Sequence, residues 1–271
     1  MAVTEFQSGI LKLLAARRHA KGESYVAGGV ALNLVLATPR RSRDIDLFHD
    51  TTEALADTWA SDRAALRSAG YDVVVRREAE SFIDAQVSMG DEGTAMQWTR
   101  DSAFRFFPLV EDSLMGLTLH PFDLATNKVL AMAGRSEVRD WVDVLNCDTR
   151  LQPLGYLVWA ACGKDPGYNP MSLLAIIRRQ HYSEAEVRTL DFEGRPPDAA
   201  ALGRTWHNAL DVAAAVSRLL PAEQVGTCVL SQQHELYRGD PESLAESIEQ
   251  GGLFFHNGQI RGSWPTVSPV R

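Results

Sequence analysis

The sequence predicts an α+β fold, a sheet-containing first part followed by a mostly helical second part. Three observations carry this. Ser24–Phe48 reads as strand, Gly-Gly turn, helix, loop and strand. Short segments between Tyr71 and Leu109 carry the β-branched and aromatic bias of strands. From His120 onward the segments show mostly helical spacing.

The elements follow in order. Residues 1–22 form an amphipathic helix, with Phe6, Ile10, Leu13 and Leu14 on one face. Glu5 comes early and the basic residues late, the wrong order for a signal peptide. Tyr25–Ala27 is a strand, Gly28-Gly29 a turn, Val30–Leu36 a helix, and Asp44-Ile45-Asp46 begins the next strand. Thr51–Ala69 has a rough helical period through Leu55, Trp59, Ala60 and Leu66. Tyr71–Arg76, Phe82–Ser88, Thr94–Trp98 and Phe104–Leu109 are strands, with turns at Gly70, Gly90 and Gly93. Asp123 is placed to cap helix Leu124–Ala133, which ends at Gly134, and Ser136 to cap a helix running to about Asn146.

The character changes near Leu151–Pro153, which divides the chain into an expected first domain, residues 1–150, and a mostly helical one, residues 151–271. The latter holds helices at Tyr156–Cys162, Met171–Gln180 and Asp198–Leu220, and a capping box at Ser183 and Glu186. It ends with a strand at Thr227–Leu230, a helix near Glu242–Glu249, and a hairpin turning at Asn257-Gly258.

Composition narrows the function. Apolar residues make up 45% and charged residues 23%, as in ordinary globular proteins. A net charge of −8 argues against a generic nucleic-acid coat and leaves room for a local basic groove. Cys147, Cys162 and Cys228 form no CxxC pair; they suit a reducing cytosol and offer no zinc framework. No apolar run is long enough to span a bilayer, so a cytoplasmic location away from membranes is expected.

Several constellations could carry chemistry. Glycines between a strand and a helix let backbone N–H groups approach a phosphate at the positive end of the helix, although Gly28-Gly29 alone is more often just a turn. It fits neither a Walker P-loop nor a Rossmann fingerprint. Asp44 and Asp46 project from one face of a strand whose other face holds Ile45 and Leu47. Such a pair repels itself unless a divalent cation intervenes; the bland reading is a solvent-facing edge balanced by Arg40, Arg41 and Arg43. Lys128 lies on a helix that is apolar nearly all round, where a lysine must snorkel or meet an anion. By spacing alone Arg139, Asp140 and Asp143 form a solvated polar face. Asp84 is a further strand carboxylate, His49 reads as structural, and the Arg17-Arg18, Arg76-Arg77 and Arg178-Arg179 pairs as solvated faces. No GxSxG elbow points to acyl transfer.

In order, YVAGGVALNL, RRSRDIDLF, FDLATNKVLAMAGR and RDWVDVL resemble the four motifs of AbiEii/AbiGii-type nucleotidyltransferases, members of the DNA polymerase β-like nucleotidyltransferase superfamily. The resemblance covers roughly residues 24–146 and implies a mixed sheet flanked by helices. It implies transfer of a nucleoside monophosphate from an NTP, ATP among the candidates, with Mg²⁺ as cofactor. Gly28 and Gly29 would lie against the triphosphate, and Arg40 and Ser42 would help hold it. Asp44 and Asp46 would bind the magnesium. Lys128, Arg135 and Asp140 match the later motifs, with Arg139 where the family often has lysine. The superfamily's third strand carboxylate has no clear match; Asp84 and Asp140 are the candidates. The family is known for type IV toxins, which implies RNA such as tRNA 3′ ends as acceptor and a cognate antitoxin as partner. Two other readings stand beside it, a kinase-like phosphotransferase using the same groups and an inactive domain that only binds nucleotide or a partner.

Overall fold

The structure, a computed structural model, describes residues 3–265. The chain forms two compact units. The first contains the chain up to Ala103, Leu109–His120 and Asp191–Arg195; the second contains Phe104–Pro108, Pro121–Leu190 and the chain from Pro196. The division runs at His120/Pro121 and not near residue 150, because the two helices after Pro121 pack with the helices that follow them.

The first unit opens with α1 (Glu5–Lys21), started by a reciprocal Thr4/Gln7 capping box. Its buried stripe is Ile10, Leu11 and Leu14. Next come β1 (Ser24–Ala27), α2 (Gly28–Val35), β2 (Arg40–Arg41), β3 (Asp44–His49) and α3 (Thr52–Ser68). Strands β4 (Asp72–Ala79), β5 (Phe82–Met89) and β6 (Glu92–Arg100) follow as a meander. Beyond β7 (Phe104–Arg105), which belongs to the second unit, lie β8 (Val110–Asp112) and β9 (Gly116–Thr118). The seven-stranded sheet runs β4-β5-β6-β3-β1-β9-β8. It is mixed: β3 pairs with β6 and β1 with β9 in parallel, the remaining neighbours antiparallel. The expected architecture is therefore present, and β3 lies at its centre.

The second unit holds α4 (Pro121–Gly134), α5 (Val138–Arg150), α6 (Leu154–Lys164), α7 (Pro170–Ile177) and α8 (Glu184–Val187). Strand β10 (Asp191–Phe192) returns to the first unit. Then come α9 (Ala199–Leu219), β11 (Cys228–Ser231), α10 (Pro241–Glu249), β12 (Leu253–His256) and β13 (Gln259–Ile260). Tyr156, Trp159, Val216, Leu220, Val229 and Leu244 form a core in which α6 and α9 meet β11.

Several local expectations are corrected. Asn257-Gly258 does not turn a hairpin: β12 pairs with β11, while β13 pairs with β7. Asp123 is inside α4, not its cap. Its carboxylate accepts from the Phe106 and Phe107 amides at 2.9 and 3.0 Å and from Lys164 Nζ at 2.7 Å. These bonds hold Phe104–Leu109 away from a longer strand. At α5 the N-cap is Glu137, without a side-chain capping bond, so Ser136 does not serve. Arg18 is not on a solvated face. It is buried, donates to the Met115 carbonyl at 3.2 Å, and is pushed down to about 10 by burial, which Asp62 opposes.

His49 shares the buried face of β3 with Ile45 and Leu47, its Nδ1 3.3 Å from the Thr99 carbonyl oxygen. Burial lowers its pKa to about 4; Arg18 adds to this, and the Thr99 carbonyl works against it. The folded pKa is thus below the unfolded one, so the unfolded chain binds the proton first. Stability should fall as pH drops from about 6.5 toward 4, by up to about 3 kcal/mol at 1.36 kcal/mol per unit. Urea unfolding of the parent and of His49→Gln across that range should give a shallower slope in the variant. Parallel slopes would exclude His49 as the source.

Candidate active site

The sequence-predicted residues form two sets, one in each compact unit. In the first, β1 delivers the chain into α2 at Gly28, whose φ of +65° is a glycine conformation. Ala27 is the N-cap and makes no side-chain capping bond, so the first-turn N–H groups have no cap from it. The register puts Ala27 opposite Asp46. Gly28 consequently lies against that carboxylate: a Cβ there would be 1.8 Å from Asp46 Oδ2. A Cβ on Gly29 would be 2.7 Å from Ser42 Oγ and 2.8 Å from Arg40 Nη2. No larger residue fits either position without displacing these groups.

Along β3 burial alternates as predicted, with Ile45 and Leu47 fully buried and Asp44 and Asp46 half-buried on the other face. Ser42 Oγ donates to Asp44 Oδ1 at 2.9 Å. The preceding loop is fixed through its carbonyls. Gln7 Nε2 donates to Ser42 O at 3.0 Å and to Thr94 Oγ1 at 3.2 Å, and Thr94 Oγ1 donates to Arg43 O at 3.0 Å. Neither Gln7 nor Thr94 stands out in sequence, because both act across long chain separations.

Asp84 lies in the same cross-sheet row as Asp46, with Gln97 of β6 between them. Two strand spacings separate the carboxylates' backbones, about 10 Å, so Asp44 and Asp46 remain the adjacent pair. Among the described residues, no three His, Cys, Asp or Glu side chains are grouped to hold a metal. Two hard carboxylates suit magnesium, which commonly takes one or two protein carboxylates and completes its shell with phosphates and water.

The second set lies between α4 and α5. Lys128 is only 6% exposed, and Asp140 and Asp143 are fully buried, contrary to the solvated face that helical spacing suggests. The ammonium is 3.1 Å from Asp140 Oδ1 and 3.2 Å from Asp143 Oδ2. Arg135 Nε donates to Asp140 Oδ2 at 2.8 Å, and its Nη2 to Oδ1 at 3.3 Å. Burial pushes the Asp140 carboxyl up, but the Arg135 hydrogen bond and the charges of Lys128 and Arg135 outweigh it and hold the group below its ordinary range. Asp143 is the partner that sequence reading missed. Its signal was the i, i+3 spacing from Asp140, which puts both carboxylates on one helix face. Cys147 is no nucleophile: burial, then Asp143, drive its thiol far up, against the opposing charge of Lys128.

No known protein-family profile and no curated protein matches this chain. Solved structures share its fold. MenT4, a nucleotidyltransferase toxin of Mycobacterium tuberculosis, superposes with a TM-score of 0.54 at 16% identity, covering 80% of this chain and 83% of that one. A Helicobacter pylori protein provisionally named a nucleotidyltransferase gives 0.52 at 13% identity, covering 80% and 99%. JHP933 of Helicobacter pylori gives 0.50 at 13% identity, covering 78% and 93%. At these identities the likeness is one of fold, and it agrees with the nucleotidyltransferase-type architecture that the motif order implies.

Proposed function

We propose that this chain transfers a nucleoside monophosphate from an NTP–magnesium complex to an acceptor hydroxyl, releasing pyrophosphate. The observation that carries the reading is the packing of Gly28 on the Asp46 carboxylate and of Gly29 on Ser42 and Arg40. It draws a helix N-terminus, a guanidinium and two strand carboxylates into one small region. That combination suits a triphosphate with its cation.

In this reading Asp44 and Asp46 hold the magnesium ion. Bound there, the ion would supply positive charge to offset that of the triphosphate. The first-turn N–H groups of α2 and the Arg40 guanidinium orient the phosphates, and Ser42 fixes the Asp44 carboxylate. Lys128 and Arg135 are assigned to phosphate charge by the motif resemblance. Asp140 then orients Lys128 and does not act as the base, since a carboxylate held at low pKa by two cations is a poor proton acceptor near neutrality.

The finer reading is an AbiEii/AbiGii-type toxin that modifies RNA such as tRNA 3′ ends in the cytoplasm, with a cognate antitoxin as its protein partner. The motif order supports it, as does the fold shared with MenT4, itself named a toxin. The helical region 151–271 is proposed to select the acceptor. No helix among the described residues is long and apolar enough to cross a membrane.

Incubation with α- or γ-labelled NTPs and separated RNA, protein and metabolite fractions tests this. α-Label on an acceptor supports nucleotidyl transfer, γ-label supports the kinase reading, and nucleotide binding without transfer supports an inactive domain. NTP affinity should also fall by tenfold or more, about 1.4 kcal/mol, when EDTA replaces magnesium, because no divalent cation then separates the phosphates from the two carboxylates. Equal affinities by calorimetry would move the phosphate site away from β3.

A further inference from the structure

Strand β10 lies more than 140 residues beyond β2 in sequence, yet it pairs with it, Phe192 opposite Arg40 and Asp191 opposite Arg41. The Glu193 amide extends the ladder by donating to the Pro39 carbonyl at 2.7 Å. Only Asp191–Arg195 joins the first unit; the chain before and after belongs to the second. Opposed residues of an antiparallel pair share a face, with Cβ atoms about 5 Å apart. Phe192 and Arg40 therefore lie side by side, and both are buried, at 9% and 3% exposure. The guanidinium of that same Arg40 packs against Gly29.

We propose that Asp191–Glu193 is a clamp on the triphosphate loop and that Phe192 is a positioning residue, setting Arg40 against the N-terminus of α2 where the phosphates bind. This rests on the nucleotidyl-transfer reading and adds a component that none of its motifs contains. The short β2 has β10 as its only ladder partner among the described strands. Without the clamp, Arg40 would keep its chemistry but lose a fixed position, while Gln7 and Thr94 would still hold the Ser42 and Arg43 carbonyls. Loss of preorganisation weakens binding of the group to be held more than it alters the groups that react.

The test is calorimetric titration of the full chain with inorganic tripolyphosphate in magnesium, using the parent, Phe192→Ala, Phe192→Leu and Glu193→Pro. Glu193→Pro removes the N–H that bonds Pro39 and leaves the Phe192 side chain in place. Phe192→Ala and Glu193→Pro should each weaken binding about tenfold, the size of one loosened charge-assisted hydrogen bond, and Phe192→Leu should recover most of it. In transfer assays the two weakened variants should raise KM for the NTP and leave kcat within about twofold, a split that general unfolding would not give. Unchanged affinity in folded Phe192→Ala and Glu193→Pro would overturn the clamp and leave the nucleotidyl-transfer reading standing. Failure of the parent itself to bind tripolyphosphate would overturn both.

Discussion

Replacing Lys128 with methionine should destabilise this protein by about 3–5 kcal/mol, the usual cost of removing one partner from a buried ion pair. Asp140 and Asp143 have no exposed surface, and the Lys128 ammonium lies within 3.2 Å of both. Arg135 still reaches Asp140 in the variant. Removing the cation beside buried carboxylates favours their protonated form. The penalty is then largest at neutral pH and shrinks as the pH falls. Urea unfolding should show the variant nearer to its parent at pH 5 than at pH 7. Adding Asp143→Asn should restore part of the stability at pH 7. Lys128→Arg should restore less than native stability, since a planar fork replaces a compact ammonium. Wild-type stability of Lys128→Met at pH 7 would leave Lys128 a snorkelling residue with dispensable partners.

Sequence reading alone leads to the opposite expectation for this substitution. A lone lysine on an apolar helix looks like a charge that methionine would improve on. The carboxylates that answer it are twelve and fifteen residues away on the next helix, where periodicity places them toward solvent. Neither helix reveals the pairing; only packing α5 on α4 does. By contrast, the β1–α2–β3 region was legible because its signals are local. Strand alternation fixed the faces of Asp44, Ile45, Asp46 and Leu47, and the Gly pair marked the entry to α2. Local signals failed where distant partners outweighed them. Asn257-Gly258 is good turn chemistry, but β12 and β13 find β11 and β7 instead of each other. Asp123 suits a helix cap, but two amides and Lys164 claim its carboxylate. The β10 clamp was invisible, since a two-residue strand has no period to detect.

The β3 carboxylates should separate activity from stability as cleanly as Lys128 entangles them. Asp44→Asn and Asp46→Asn are each expected to lower nucleotidyl transfer on the order of a thousandfold, because either change removes a hard ligand from the proposed magnesium site. Stability should change little or rise slightly. The carboxylates are half-buried neighbours on one face, and removing one charge relieves their repulsion. Asparagine also keeps an acceptor for the Ser42 hydroxyl at position 44. Gly28→Ala supplies the contrast. It adds no charge and removes no proposed ligand, yet its Cβ would fall 1.8 Å from Asp46 Oδ2 at a backbone φ of +65°. The carboxylate or the start of α2 must shift. Activity should drop with the Asp46 variant's, and stability should fall by about 1–2 kcal/mol for a side chain forced into a left-handed conformation. Turnover and melting temperature measured together on the three variants decide the matter. Loss of both quantities in all three would make β3 a structural strand, and full turnover in both Asn variants with magnesium as the sole divalent ion would remove Asp44 and Asp46 from the reaction.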